Sequence, residues 1–530
     1  MSTSSSSSRP SVAFPNGATI TGTTETNASG KQVHVFRGIP YAEPPIGDHR
    51  WKQATLKAIS ADVDATAFKN VAFGDPHIDS QAEMFPISED CLFLNVYTPA
   101  EAESTSRLPV MVWLHGGIFA SGAGYGYDGS NIVSSASGKR VVYVSINYRL
   151  GVFGFLSNDA LLDEGDGVNY GLRDQETAFK WIKQHIAYFG GDPSNITAFG
   201  HSVGGKSIGL HMVSRDGKQQ SFHKAIAQSG FMTSSITMHS TATQNEMTLT
   251  IARKLGYPGS SVDASLLSFL RQSDAKELWE AGSQFLWQPV VDRVFLLDAP
   301  SRCLMGGNVS RIPTIIGTTS DEGFVFTFGV KTDADVDSYL RSRLSALTKE
   351  ELDRVHELYP STAFSTPQLK VAEIEGDAFY VFLSEFGSIE NALHGDPTEV
   401  PTYRYRFNEA SSDFGIPLVN HGAELDFVFN LSITRLFNKH APPLDFSEAQ
   451  AHLAKSIRTF WTDFAATGSP NGDAVCKWPR FDMFARRELV IESSGLRTAV
   501  TGAERDLHAE RFEFWHQVES RVASTLSQTS

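Results

Sequence analysis

The sequence predicts an α/β fold: a large, mostly parallel sheet covered by helices on both faces. Three observations carry this. Uninterrupted apolar stretches, residues 108–115 and 140–147 among them, read as strands buried on both sides. They alternate with amphipathic stretches such as residues 174–186, where apolar side chains recur at helical spacing. Between a short strand-like run (195–199) and a helical one (205–212) stands Gly200-His201-Ser202-Val203-Gly204, a serine flanked by glycines at a strand-to-helix turn.

Bulk properties narrow the field. The chain has 530 residues, 41% hydrophobic and 20% charged, enough to bury a large core. Its net charge of −15 argues against a nucleic-acid or anionic-membrane surface, and no apolar run approaches the ~18 residues of a membrane span. Residues 1–11 are Ser-rich and polar, without the apolar segment of a secretory signal, and read as a disordered tail. Cys91, Cys303 and Cys476 are too few and too odd in number for a disulfide framework, which points to a reducing, cytoplasmic setting. Asn-x-Ser/Thr triplets begin at Asn27, Asn195, Asn308 and Asn430 and read as chance occurrences.

In chain order, residues 12–36 suggest an edge hairpin, and Phe36-Arg37-Gly38-Ile39-Pro40-Tyr41-Ala42 leads into a proline-broken loop. Strands are expected at 90–97, 108–115, 140–147, 195–199, 224–228, 313–317 and 400–407, with the helix 174–186 stopping at Phe189-Gly190-Gly191-Asp192-Pro193. Residues 331–395 read as helices with charged faces, a cap over the sheet. One catalytic domain over 12–519 and a tail over 520–530 complete the division, with no internal repeat and no flexible linker.

The glycines around Ser202 fit a strained turn that lifts the hydroxyl clear of the sheet, with a helix N-terminus pointing at it. A serine hydroxyl becomes a nucleophile when a histidine accepts its proton and a carboxylate orients that histidine. The carboxylate is expected on a loop after a later strand, where Asp321 and Glu322 stand side by side; spacing does not choose between them. Downstream candidates include His356, His394, His421, His440 and His452. His421 is preferred because it lies on a loop entering an apolar run, with Glu424 and Asp426 nearby. His115-Gly116-Gly117-Ile118, after the strand 108–115, fits a loop that offers backbone N–H groups to an oxyanion, and Val203 would add another.

Several further stretches accompany these: Glu89-Asp90-Cys91-Leu92-Phe93-Leu94-Asn95-Val96-Tyr97, Asn147-Tyr148-Arg149-Leu150-Gly151 and Asn169-Tyr170-Gly171-Leu172-Arg173-Asp174-Gln175. With them, from about Gly22 to Trp515, the chain resembles the type-B carboxylesterase/lipase family, cholinesterases included, in an intracellular microbial or fungal form. The resemblance implies the α/β-hydrolase fold, Ser202 as nucleophile, Glu322 as acid and His421 as base. It implies Gly117, Ile118 and Val203 as oxyanion donors, with Gly116, His201, Phe285 and Trp287 against the substrate, the last two in an apolar acyl pocket. Trp287 reads equally well as core packing. Departures stand at Ile118, where the family usually has glycine, at Val203, where it has a small residue, and at His201, where it has glutamate. The family cysteine at Cys91 has no upstream partner here. The implied activity is hydrolysis of neutral carboxylic esters through an acyl-enzyme, with a small-molecule ester as partner and no metal or organic cofactor. Acyl transfer to an alcohol or amine is the alternative, and a non-catalytic binding protein the remote one. Without a tryptophan in residues 81–88 and with His201 before the serine, choline esters are expected to be poor substrates.

Overall fold

A computed structural model describes residues 9–74, 85–133, 138–218, 221–395, 399–410, 418–432, 444–472, 476–500 and 509–529. Chain order gives β1 (Ser11–Ala13), β2 (Thr19–Thr21), β3 (Thr23–Thr26), β4 (Gln32–Pro40), β5 (Val63–Asp64), β6 (Phe93–Pro99) and β7 (Leu108–Leu114). Then come β8 (Val142–Ile146), β9 (Gly191–His201), β10 (Lys224–Gln228), β11 (Thr314–Thr319), β12 (Thr402–Phe407), β13 (Arg487–Ile491) and β14 (Arg497–Val500). An 11-stranded sheet runs β14-β13-β12-β11-β10-β9-β7-β8-β6-β4-β3, and β1-β2-β5 form a separate three-stranded sheet. From β8 through β7, β9, β10, β11 and β12 to β13 every pairing is parallel; antiparallel pairs occur only toward the two edges.

The parallel centre is buried on both sides because its side chains serve two cores in alternation. Along β7, Val110, Val112 and Leu114 enter one apolar cluster and Met111 and Trp113 the other. The first cluster holds Phe179, Trp181 and Ile182 of the helix Tyr170–His185, and the second holds Phe460, Trp461 and Phe464 of the helix Glu448–Thr467. The hairpin expected near the N-terminus is β3–β4 on the sheet edge; β1 and β2 leave to make the small sheet instead.

Residues 331–395 are helical: Asp333–Arg343, Lys349–Leu358, Pro367–Gly376, a π turn Asp377–Val381 and Phe382–His394. The expected C-terminal tail is not one. The helix Ala509–Thr529 runs through residues 520–529, and its Trp515, Val518, Val522 and Leu526 are buried at three- and four-residue spacing. Its Glu519 accepts hydrogen bonds from Ser234 Oγ (2.7 Å) and Ser235 N (2.9 Å). Cys91, Cys303 and Cys476 are all free thiols. No helix among the described residues is long and apolar enough to cross a membrane.

Two of the stretches on which the family resemblance rests meet in one buried ion pair. Arg149, just after β8, donates from Nε and Nη2 to the two oxygens of Asp174, each at 2.7 Å, with the side chains 2% and 0% exposed. Removing one partner of such a pair strands the other charge in the interior. The substitution Arg149→Met should therefore lower unfolding stability by about 3–5 kcal/mol. Urea denaturation checks this, and a loss below about 1 kcal/mol would contradict it.

Candidate active site

Ser202 sits where β9 ends and the helix Val203–Val213 begins, with φ 56° and ψ −124°. Its N–H donates to Gln228 O at the end of β10 (2.9 Å), and its carbonyl accepts from Lys206 N (2.8 Å). The turn is held tight against the end of β7: a Cβ on Gly204 would lie 2.0 Å from Leu114 O, so no other residue fits there.

The loop after β7 lies against the same serine. A Cβ on Gly116 would come within 3.2 Å of Ser202 Cβ and 3.0 Å of His201 O. Gly117 (φ 114°), Ile118 (φ 51°) and Phe119 (φ 60°) follow with left-handed backbone. A β-branched residue in that region carries a strain of about 1–2 kcal/mol. Ile118 thus keeps the backbone a glycine would take freely and adds a side chain to the cavity wall. Among the described residues, the N–H groups of Gly117 and Ile118 meet no acceptor.

The segment carrying His421 is fastened by the acid next to the one that orients it. Asp321 pairs with Asn420 in an isolated parallel bridge, donates from its N–H to Val419 O (2.9 Å) and accepts at Oδ2 from Val419 N (2.8 Å). That places Glu322, 1% exposed, with Oε1 on Thr319 N (2.7 Å) and Oε2 on His421 Nδ1 (2.5 Å). The two adjacent carboxylates that spacing left unresolved therefore have different tasks. His421 Nε2 is buried without a hydrogen-bond partner among the described residues. The other histidines lie elsewhere: His356 by Asp337, His394 by Met305 O and Glu390, His452 exposed on its helix, and His440 outside the described residues.

The His421 ring is enclosed by His201 (centroids 4.4 Å apart), Tyr380 (4.7 Å) and Phe326 (5.3 Å). Burial, and next the proximity of His421, hold the His201 pKa well below its ordinary value, so His201 is neutral. Burial, with the Lys206 ammonium acting the same way, also lowers His421. Glu424, which the sequence placed near the histidine, instead sits under Ser229 Oγ (3.4 Å) and Tyr405 OH (3.3 Å), with its pKa pushed up to about 7 by burial and by Glu322.

Ser202, Ile118 and Val203 share a cavity of about 210 Å³ with Lys206, Leu286, Gln288, Phe326, Arg343, Glu375 and Tyr380. The expected pocket residues Phe285 and Trp287 do not line it. Trp287 is 1% exposed and donates from Nε1 to Gly282 O (3.0 Å), a core role, while Leu286 and Gln288 reach the cavity. Lys206 went unnoticed in the sequence. Its position four residues after Ser202, one helical turn along the same face, was the available signal.

A glycine-bounded serine on a strained turn, a carboxylate-oriented histidine and unpaired N–H groups beside them are what ester cleavage needs. Comparison with known proteins bears on the same point: the Carboxylesterase family matches residues 8–515. This chain belongs to that family. It is 33% identical to the para-nitrobenzyl esterase of Bacillus subtilis (89% of this chain, 93% of the relative) and 32% identical to the cocaine esterase of Oryctolagus cuniculus (92% of each). Among solved structures, PNB esterase superposes with a TM-score of 0.77 at 28% identity, covering 96% of this chain and 100% of that one. Aspergillus niger EstA superposes with a TM-score of 0.83 at 23% identity (97% and 99% covered), a likeness of fold. The α/β-hydrolase architecture and the activity of a carboxylic ester hydrolase follow for this carboxylesterase family member.

The direction of the His421 shift has a kinetic consequence. The base expected at His421 works when neutral, and a lowered pKa keeps it neutral further into acid. The acidic limb of kcat/KM should therefore have its midpoint below the ordinary histidine value of about 6.5, with little loss between pH 8 and about pH 6. A pH profile on a neutral aryl ester checks this, and a midpoint at or above 7 would contradict it.

Proposed function

We propose that this serine carboxylesterase works through Ser202, His421 and Glu322, with the N–H groups of Gly117, Ile118 and Val203 receiving the oxyanion. The observation that carries the reading is the short Glu322–His421 Nδ1 contact, which leaves Nε2 free of any other described partner. Nε2 takes the Ser202 hydroxyl proton as Oγ attacks the ester carbonyl carbon. Glu322 stabilises the resulting imidazolium and fixes its tautomer. Collapse of the tetrahedral intermediate expels the alcohol, protonated by His421, and leaves an acyl-serine. Water, deprotonated by the same nitrogen, releases the acid and restores the serine. The three free thiols support a cytoplasmic setting.

Substrate size and charge follow from the walls. A cavity of about 210 Å³ lined by Ile118, Val203, Leu286 and Phe326 suits short-to-medium acyl groups. Neutral His201 offers no fixed negative charge, Arg343 and Glu375 offset each other, and Lys206 places positive charge in the same cavity. A quaternary ammonium is therefore repelled. With like charges in a partly shielded site, kcat/KM for butyrylthiocholine should fall at least about tenfold below that for a neutral butyrate thioester. A choline ester that matches or exceeds the neutral one would refute this view of the pocket.

The replacement Ser202→Ala should lower ester turnover by at least about 10⁴-fold, because the three residues act as a unit. Treatment of the parent protein with a fluorophosphonate should add one adduct by intact mass. An adduct or undiminished turnover in Ser202→Ala would remove the assignment.

A further inference from the structure

Lys206 is a buried cation that the mechanism above does not use. It is 7% exposed, on the helix that Ser202 starts, and it lines the cavity with Ser202. Its ammonium lies over the Tyr380 ring at 4.8 Å, and among the described residues no oxygen accepts a hydrogen bond from it. Neither nearby carboxylate is available. Glu375 is held by the Arg343 guanidinium, whose Nε is 3.1 Å from each oxygen and whose Nη2 is 2.7 Å from Oε1, and by Tyr339 OH (3.0 Å). Glu322 is held by His421 and Thr319 N. Glu375 is matched by Arg343 and Glu322 is taken up by His421 and a backbone amide, so the Lys206 ammonium lines a small cavity with no oxygen of its own among the described residues. Burying a cation without an acceptor is costly, and such a site calls for an anion.

We propose that Lys206 binds a carboxylate on the acyl part of the substrate, so that the favoured substrates are half-esters of short dicarboxylic acids. Lys206 follows Ser202 by four residues, its N–H bonded to Ser202 O (2.8 Å), and both side chains line one cavity. The acyl part is what stays attached to Ser202 through both halves of the reaction, so a cation fixed beside the serine meets it throughout. A cavity of about 210 Å³ lined by both residues has room for an acyl chain of a few carbons between them. The groups around that ammonium are Arg343 and Tyr339 from the helix Asp333–Arg343, Glu375 from the helix Pro367–Gly376, Tyr380 from the π turn, and Glu322 and His421 from the loops after β11 and β12. Burial, and then Arg343, bring the Lys206 pKa down only to about 8, which keeps most of it charged at pH 7.

This inference rests on the esterase reading, and two measurements separate their failures. Rates are compared for 4-nitrophenyl hydrogen glutarate and its neutral counterpart, 4-nitrophenyl pentanoate. Wild-type kcat/KM should favour the glutarate at least about tenfold, the size of one charge-assisted hydrogen bond. The substitution Lys206→Met should cut that ratio at least about tenfold, and Lys206→Arg should retain most of it. Calorimetry with the acids themselves, glutarate against pentanoate, should show the same preference in the wild type and its loss in Lys206→Met. A wild-type enzyme that treats the two esters alike, or prefers the neutral one, overturns the proposal even if the Met variant fails to fold. Should the enzyme hydrolyse neither ester, the esterase reading fails, and equal binding of the two acids would then overturn the Lys206 inference separately.

Discussion

The site depends on how closely β9 can approach the end of β7. Gly204 lies under the Leu114 carbonyl, in space that a single methyl group would fill. That contact lets the chain turn at Ser202 with left-handed backbone, and the bond from Ser202 N to Gln228 O holds the turn to the sheet. Strain of about 1–3 kcal/mol at such a residue persists only where its surroundings leave no alternative. Here they are two parallel strands, one on each side of β9, both buried. The Ile118 loop follows the same strand end and carries strain of its own, so one junction sets the positions of Ser202 and of the loop beside it.

Around that junction, charge is mostly cancelled before it can act. His201 stands neutral against His421, Glu322 spends both oxygens on a backbone amide and an imidazole, and Glu375 is clasped by Arg343. Asp321 uses its carboxylate to fasten a backbone rather than to touch the histidine. The effect is to make the field at the serine depend on a few groups whose partners are fixed. An imidazolium formed at His421 in the proposed mechanism would meet one carboxylate already in place, with little reorganisation.

The central strands were legible because a parallel sheet buried on both faces demands long apolar, β-branched runs, and β7, β8, β10 and β11 have them. The edge strands β13 and β14 were not, since β14 alternates exposed and half-buried residues and both begin with arginine. The end of the last helix was misread because its Ser, Thr and Gln residues outweighed the buried Val522, Ala523 and Leu526. Within the site, the motif stretches were readable but their facing was not. Asp321 against Glu322, and Phe285 and Trp287 against Leu286 and Gln288, are each matters of one residue along the chain. Which neighbour turns inward is decided by the tertiary frame. Lys206 escaped for the related reason that a lysine in an otherwise apolar helix reads as its solvent face.

The π turn Asp377–Val381 interrupts one long helical rod running from Pro367 to His394. A single extra residue in a 3.6-residue winding advances everything beyond it by about 100°. Upstream of the turn the rod presents Glu375 to Arg343; downstream it presents Phe382 and Phe386 to Phe512 and His516 of the last helix. The two halves are thus out of phase by design of the winding, and the turn acts as a coupling between two gears. Deleting one residue there would not weaken the rod, since ordinary α-helix would result. It would rotate one half against the other, so that either the cation cluster or the packing on the last helix falls out of register while its partner stays engaged.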